Sequence, residues 1–347
     1  KAKVLGVIQF EGLIESMCAV GPILEPQPAA LELIDKMILD QTKGSIELSK
    51  QRSWVEGDPH AVLVVEYYGE SLEEIEPRLD ELEKLMDSEG LGYGFRRAIT
   101  AKEQNDVWNV RKAGLGLLMG IIGDAKPIAF VEDAAVRPEL LPEYIEEFER
   151  IVKSHNTVAG YYAHASVGLL HVRPVVNVKS PDGVAQMKSI AEQVRDLVLK
   201  YGGAMSGEHG DGLVRSCWNE RMFGSQLYGA FREVKRAFDP NGLMNPGKIV
   251  DAPMMTENLR TGPHYHAEEP QTHFDFSSQG GFARAIEMCN GVGQCRKKLV
   301  GTMCPSYMAT LDEVDTTRGR ANALRAAISG ELEGGLSDEA VYDALDL

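Results

Sequence analysis

The chain has 347 residues, 44% hydrophobic and 25% charged, a composition typical of a soluble globular protein with one full core and room for a second domain. Its net charge of −16 argues against nucleic acid as a partner, because a phosphate-binding surface needs clustered Lys and Arg. No apolar run reaches the length of a transmembrane helix, and no secretory signal opens the chain.

Strand-like and helix-like segments alternate along the first 250 residues. Strands are predicted at 4–10, 60–69, 93–100 and 128–133, and from Val158 onward. Helices are predicted at 11–20, within 24–40, and at 71–90, 107–120, 138–154, 184–201 and 221–238. This pattern predicts an α+β fold in which helices pack on one face of a mainly antiparallel, ferredoxin-like sheet.

Two common nucleotide-binding motifs are missing from the sequence. No GxGxxG run follows a strand, and no Walker motif is present, so neither a dinucleotide-binding Rossmann fold nor a nucleoside triphosphatase is supported. The acidic residues Glu32 and Asp35 fall in the helix predicted within 24–40, where we interpret them as exposed structural side chains.

The most informative stretch opens with HASVGLLH and closes with GEHGDG, joined by an amphipathic segment. His164 and His171 are seven residues apart, too far for one metal site on a straight helix and on opposite faces of an unbroken strand. A bend at Gly168 would let two short strands bring both imidazoles to one point. Imidazoles suit a divalent metal such as zinc, and Glu208 is the best candidate for a third ligand. The adjacent His209 is then available for another role.

These motifs, together with DPNGLMNPGKI, resemble the C-terminal half of FAD-linked oxidases of the vanillyl-alcohol oxidase type, in the branch of D-2-hydroxyacid dehydrogenases such as D-lactate and glycolate dehydrogenases. The resemblance covers roughly residues 27–250. It implies metal binding by His164, His171 and Glu208, a general base at His209, a substrate-carboxylate contact at Arg111 and a flavin contact at Asn245.

The resemblance also implies a reaction. A small 2-hydroxy acid would be oxidised to a 2-oxo acid with FAD as cofactor, and electrons would pass on to an acceptor that the sequence does not identify. Relatives carry their FAD-binding domain N-terminal to this region, and the chain opens at Lys1 without matching it. We therefore expect a part of a longer enzyme, inactive alone, that needs an FAD-binding domain or subunit as partner. Val131 and Arg173 stand where relatives often have Lys and Asn.

The last hundred residues differ in character from the rest. Residues 251–278 are polar, rich in Pro and His and without periodicity, and are predicted to be a linker between domain 1–250 and domain 279–347. Cys289, Cys295 and Cys304 form a C-x5-C-x8-C-P pattern that resembles part of a 4Fe-4S ferredoxin-type motif, with one cysteine fewer. A partial, mainly helical iron–sulfur domain is the resulting expectation.

Two other functions fit the same residues. One is a zinc hydrolase that uses the three metal ligands around a bound water. The other is a non-catalytic fragment that docks and relays electrons. An odd count of five cysteines favours a reducing compartment, so we expect a cytoplasmic protein. Peripheral attachment to the inner face of the membrane and formation of a homodimer are both left open.

Overall fold

The computed structural model describes residues 1–299 and 303–346. Its main feature is one sheet in the order β4-β1-β3-β2-β7-β8-β5, with β6 paired to β8, and the pairings among the first six strands of that order are antiparallel. The strands are β1 (Ala2–Phe10), β2 (Ala30–Asp35), β3 (Ala61–Gly69), β4 (Gly94–Ala98), β5 (Lys126–Pro127), β6 (Ala134–Ala135), β7 (Ala159–His164) and β8 (Leu169–Val176). The expected antiparallel α+β architecture is confirmed.

The helices connect these strands and continue to the end of the described chain. They are α1 (Leu13–Leu24), α2 (Lys36–Lys43), α3 (Leu72–Glu89), α4 (Ala101–Met119), α5 (Leu141–Ser154), α6 (Pro181–Lys200), α7 (Gly212–Arg215), α8 (Asn219–Phe238), α9 (Phe282–Glu287), α10 (Pro305–Thr310), α11 (Thr317–Ile328) and α12 (Glu339–Leu345). Within residues 1–299 and 303–346, no helix combines the length and apolarity needed to cross a membrane.

Helices cover both faces of the sheet, whereas the sequence predicted them on one. Successive side chains of a strand point to opposite faces, so β1 shows which helices lie where. Leu5 and Val7 pack in one buried cluster with side chains of α2 and α4. Gly6, between them, lies against Leu79 and Leu82 of α3 on the other face. The sheet is therefore buried on both sides at its centre.

Two predicted elements were wrong. Residues 30–35 form the strand β2 between β3 and β7, because pairing with two neighbours overrides their helix-like apolar spacing. Residues 128–133, expected to be a strand, are irregular and lie between β5 and β6. Both errors concern segments that carry acidic side chains into the site described below.

The chain divides into two compact units. The first contains residues 1–118, 127–176 and 182–258, and the second contains 119–126, 177–181 and 259–347. The second unit is mainly helical and has a small core of Ala283, Ile286 and Ile328. The stretch 251–276, within the predicted linker, contains neither helix nor strand and divides between the two units.

Candidate metal and active site

The hairpin of β7 and β8 carries two of the predicted ligands. His164 ends β7, His171 lies in β8, and the imidazole ring centroids are 5.3 Å apart. The chain reverses at Gly168, whose φ of +69° is disfavoured for residues with a Cβ. A Cβ there would lie 1.8 Å from the carbonyl oxygen of Val136. The predicted bend thus brings both imidazoles to one place.

A buried carboxylate anchors the loop that brings the third predicted ligand to the hairpin. Asp133 is fully buried and accepts hydrogen bonds from the backbone N–H groups of Glu208 and His209, at 3.1 and 2.9 Å. The hydroxyl of Ser206 donates to the same carboxylate at 2.6 Å, and the N–H of Gly207 donates to the Asp133 carbonyl at 2.8 Å. The backbone conformation of Glu208 and His209 (the EH pair) is therefore fixed by Asp133, which is far away in sequence.

Three imidazoles converge on one carboxylate oxygen. The Nε2 atoms of His209, His171 and His164 lie 3.0, 3.2 and 3.7 Å from Oε1 of Glu208. His171 is almost completely buried, whereas the side chains of His164, Glu208 and His209 are 37–44% exposed. The site is therefore open to solvent on one side and closed by His171 on the other.

The opposite nitrogen of each imidazole contacts a buried glutamate. Nδ1 of His164 lies 2.7 Å from Oε1 of Glu32. Nδ1 of His171 and Nδ1 of His209 lie 3.1 and 3.0 Å from the two oxygens of Glu132. Carboxylates commonly accept the Nδ1–H of metal-binding histidines and so direct the Nε2 lone pair towards the metal.

This arrangement fits a divalent cation. If each Nδ1 donates its proton to a glutamate, the three Nε2 lone pairs and the Glu208 oxygen are all acceptors. Acceptors within 3.0–3.7 Å of one oxygen repel one another unless a proton or a cation lies among them. Two or three imidazole nitrogens and a carboxylate oxygen are a typical donor set for zinc and related metals.

Charges around the site shift two pKa values. Burial raises the pKa of Glu132, but hydrogen bonds from His171 and His209 and the charge of Arg173 lower it by more, so its net shift is downward. The hydrogen bond to Glu32 raises the pKa of His164, and partial burial opposes that shift. Glu132 therefore remains ionised and able to accept hydrogen bonds.

The tightest group of candidate ligands differs from the predicted set. Among the described residues, one ligand atom each from Asp133, His171, Glu208 and His209 lies within 4.8 Å of the others. The carboxylate of Asp133 already accepts three hydrogen bonds, so we assign it to anchoring the loop. His164 does not belong to this group, but its Nε2 lies 3.7 Å from Oε1 of Glu208, close enough to complete a site.

Arg111, the predicted substrate-carboxylate contact, lies beside the site. Its Nε and one terminal nitrogen donate to Oε2 of Glu32 at 3.1 and 2.8 Å, and its guanidinium lies 4.9 Å from the ring centroid of Tyr162. Arg173 donates to the hydroxyl of Tyr162 at 3.3 Å and lies 3.5 Å from Glu132. Both arginines are thus linked to the glutamates that hold the imidazoles.

The remaining predicted site residues lie elsewhere. Asn245 is exposed, with a φ of +47°, and lines an apolar cavity of about 510 Å³ together with Gly212. In the second unit, Cys289 and Cys295 line a cavity of about 350 Å³ with Arg318, whereas Cys304 packs with Cys295 and Tyr307. Residues 300–302 of this cysteine motif lie outside the described residues.

Sequence reasoning missed the residues that support the imidazoles. Glu32 was interpreted as an exposed helix residue, but it is buried on β2. Glu132, Asp133 and Arg215 were not recognised as site residues, and Arg215 lies 3.6 Å from Glu132. The one available signal was acidic residues directly adjoining apolar runs, as in LELID and AFVED.

Fold and site together define a class: an α+β domain with an antiparallel sheet and a histidine–carboxylate site at the end of a central hairpin. Residues 1–249 match the family described as FAD linked oxidases, C-terminal domain, and the chain belongs to this family.

Similar proteins agree with this assignment. A D-2-hydroxyglutarate dehydrogenase of Pantoea ananatis is 30% identical over 339 residues, covering 92% of this chain and 32% of that protein. The D-2-hydroxyglutarate dehydrogenase of Escherichia coli is 32% identical over 320 residues, covering 87% and 31%. The chain therefore spans about a third of the length of these curated relatives. The solved structure of a 4-ethylphenol oxidase from Gulosibacter chungangensis shares the fold, with a TM-score of 0.51, 16% identity and coverage of 72% of this chain and 54% of that one.

Proposed function

We propose that this chain is the substrate- and metal-binding part of a flavin-dependent D-2-hydroxyacid dehydrogenase. The observation that carries the proposal is the convergence of three imidazole Nε2 atoms on Glu208. The Nδ1 atom of each imidazole lies within hydrogen-bond distance of a glutamate oxygen. The family membership and the dehydrogenases named above support the class of reaction.

His164, His171 and Glu208 would hold a divalent metal. When bound, such a metal acts as a Lewis acid towards an oxygen of the substrate and makes its hydroxyl easier to deprotonate. The exposed sides of His164 and Glu208 leave room for a small ligand next to the site. The burial of His171 keeps the opposite side closed to water.

His209 would accept the proton of the substrate hydroxyl at Nε2. Its Nδ1 lies 3.0 Å from Glu132, which would stabilise the imidazolium that forms. At 44% exposure its side chain can reach a bound ligand. FAD, when bound, supplies the two-electron acceptor, and the residues that bind its main part are expected outside this chain.

Arg111 would bind the carboxylate of the 2-hydroxy acid. A guanidinium pairs well with a carboxylate through two parallel hydrogen bonds. Two nitrogens of Arg111 donate to the same oxygen of Glu32, so Glu32 holds the side chain next to His164. The substrate would thereby be placed with its carboxylate towards Arg111 and its hydroxyl towards the metal.

The cysteines of the second unit would take part in passing electrons on. Cys289 and Cys295 line one cavity, Cys304 belongs to the same buried cluster as Cys295, and Arg318 supplies a positive charge nearby. Three thiolates alone leave a 4Fe-4S cluster one ligand short, so a fourth ligand would come from another residue. Anaerobic reconstitution with iron and sulfide, compared with a Cys295→Ser variant, tests this part.

Metal analysis of the purified chain tests the main proposal. About one zinc or similar ion per chain is expected, with loss in both His164→Ala and Glu208→Ala. In calorimetry, a D-2-hydroxy acid should bind only in the presence of the metal. A wild-type chain without metal affinity would contradict the proposal and favour a docking fragment. Ester or amide hydrolysis without flavin would instead favour a zinc hydrolase.

A further inference from the structure

Glu132 is shared by two imidazoles. Its side chain is 6% exposed, Oε2 lies 3.1 Å from Nδ1 of His171, and Oε1 lies 3.0 Å from Nδ1 of His209. The two rings stack with centroids 5.1 Å apart and planes inclined by 19°. One carboxylate thus contacts both the proposed metal ligand and the proposed base, using a separate oxygen for each.

We propose that Glu132 is the positioning residue that fixes the tautomer of both imidazoles. An ionised carboxylate offers only acceptors, and a neutral imidazole carries one N–H. A neutral ring at either position therefore places its proton on Nδ1, which leaves its Nε2 lone pair facing Glu208 and the proposed metal. The inference rests on the proposed function for its importance, but the tautomers themselves can be measured without any reaction.

Two buried arginines make the carboxylate suitable for this role. Arg173 lies 3.5 Å from Oε2 and Arg215 lies 3.6 Å from Oε1, and both side chains are almost completely buried. Each oxygen therefore faces one imidazole N–H and one guanidinium. Such flanking charges favour the ionised, acceptor-only form of Glu132, and every group around it is a donor.

The sharing of one carboxylate makes a specific substitution informative. In Glu132→Gln, the amide has almost the same shape but one acceptor oxygen and one donor NH2 group. Only one imidazole can then donate from Nδ1. The other faces the NH2 group, so its proton should move to Nε2, where it blocks metal binding if the ring is His171 and proton acceptance if the ring is His209.

Nitrogen-15 NMR of the histidine side chains in a metal-free Glu208→Ala chain tests the inference, because this variant lacks the carboxylate that would otherwise draw a proton to Nε2. At a pH high enough to make the rings neutral, the nitrogen shifts report directly which ring nitrogen is protonated. His171→Asn and His209→Asn variants assign the two signals. Both rings should be Nδ1–H tautomers in this Glu208→Ala chain, and one of them should become the Nε2–H tautomer when Glu132→Gln is added. Glu66→Gln, which alters another buried glutamate, should leave both unchanged.

Three outcomes decide the matter. An Nε2–H tautomer at either ring of the Glu208→Ala chain overturns the inference, and this measurement holds even where Glu132→Gln fails to fold. Two unchanged Nδ1–H rings in a folded Glu132→Gln variant also overturn it. The expected tautomers in the Glu208→Ala chain, together with a wild-type chain that binds no zinc, would support the role of Glu132 while the proposed function fails, so the two failures are distinguishable.

Discussion

Glu32 and His164 lie directly opposite each other on neighbouring strands, and their side chains meet in a 2.7 Å hydrogen bond. The register of β2 against β7 therefore sets the orientation of a proposed metal ligand. The other oxygen of Glu32 accepts from Arg111. One buried carboxylate thus links the proposed metal ligand on β7 to the proposed substrate contact on α4.

Replacing Glu32 with glutamine should weaken metal binding. The amide can still accept from one partner but loses the charge that favours donation by His164, and loss of such a supporting carboxylate typically costs about 10–100-fold in affinity. Calorimetric titration of the metal-free variant with zinc measures the change. Glu66→Gln removes a similarly buried carboxylate on β3, and its zinc affinity should equal that of the wild type. Equal affinities for all three proteins would show that Glu32 does not support the site.

His209 and His171 should differ as alanine variants. Both Nε2 atoms lie within 3.2 Å of Glu208, so distance alone does not separate ligand from base. The proposed roles predict that His171→Ala loses the metal. His209→Ala should keep it, while turnover measured together with the FAD-binding partner falls by about 10²–10⁴. Metal analysis of the two variants gives the first answer, and loss of metal from His209→Ala would make His209 a ligand.

Local features of the site could be predicted from sequence. The bend at Gly168 and the proximity of the His164 and His171 rings follow from one glycine between two strand-like runs. Turn chemistry of this kind depends on neighbouring residues alone. The EH pair was also recognisable because glycines surround it. These features define the part of the site that is exposed to a ligand.

The supporting residues could not be predicted in the same way. Glu32 and His164 are 132 residues apart, and Asp133 and His209 are 76 apart. Such contacts depend on which strands become neighbours and in which register, and a single sequence does not specify that locally. The same pairing turned residues 30–35 into a strand although Leu31 and Ile34 have helix-like spacing.

Gly168→Ala should be strongly destabilising. Its φ of +69° costs a residue with a Cβ about 1–2 kcal/mol, and the new atom would collide with the Val136 carbonyl, so we expect a total loss of about 3 kcal/mol or more. Gly202→Ala is the matched control, because Gly202 has a φ of +65° and a methyl group added there would meet no atom within 4 Å. Gly202→Ala should lose only the stability that corresponds to the backbone strain. Denaturant unfolding measures the stability of both variants, and equal losses would show that the contact with Val136 is easily relieved.

The second unit should lose stability in acid through Asp124. This carboxylate pairs with Arg284 at 2.7 Å and with Lys179 at 3.0 Å, joining three chain segments of that unit. The hydrogen bond from Arg284, with a smaller contribution from Lys179, lowers the pKa of Asp124 from 3.8 to about 2, against the opposing effect of partial burial. Because the folded-state pKa is below the unfolded one, the stabilisation is fully present above pH of about 4 and is lost as pH falls towards 2.

Calorimetric unfolding of Asp124→Asn measures this contribution. At pH of about 6 the variant should be less stable than the wild type by up to about 1 kcal/mol, the usual range for a solvent-screened ion pair. As pH falls to about 2 and below, the difference should shrink towards zero, because the wild-type carboxylate becomes protonated in both states. Asp182→Asn, on α6 in the first unit, is the control for removing a negative charge. If Asp124→Asn has the same loss of unfolding free energy at both pH values, the charge of Asp124 is not what stabilises the unit.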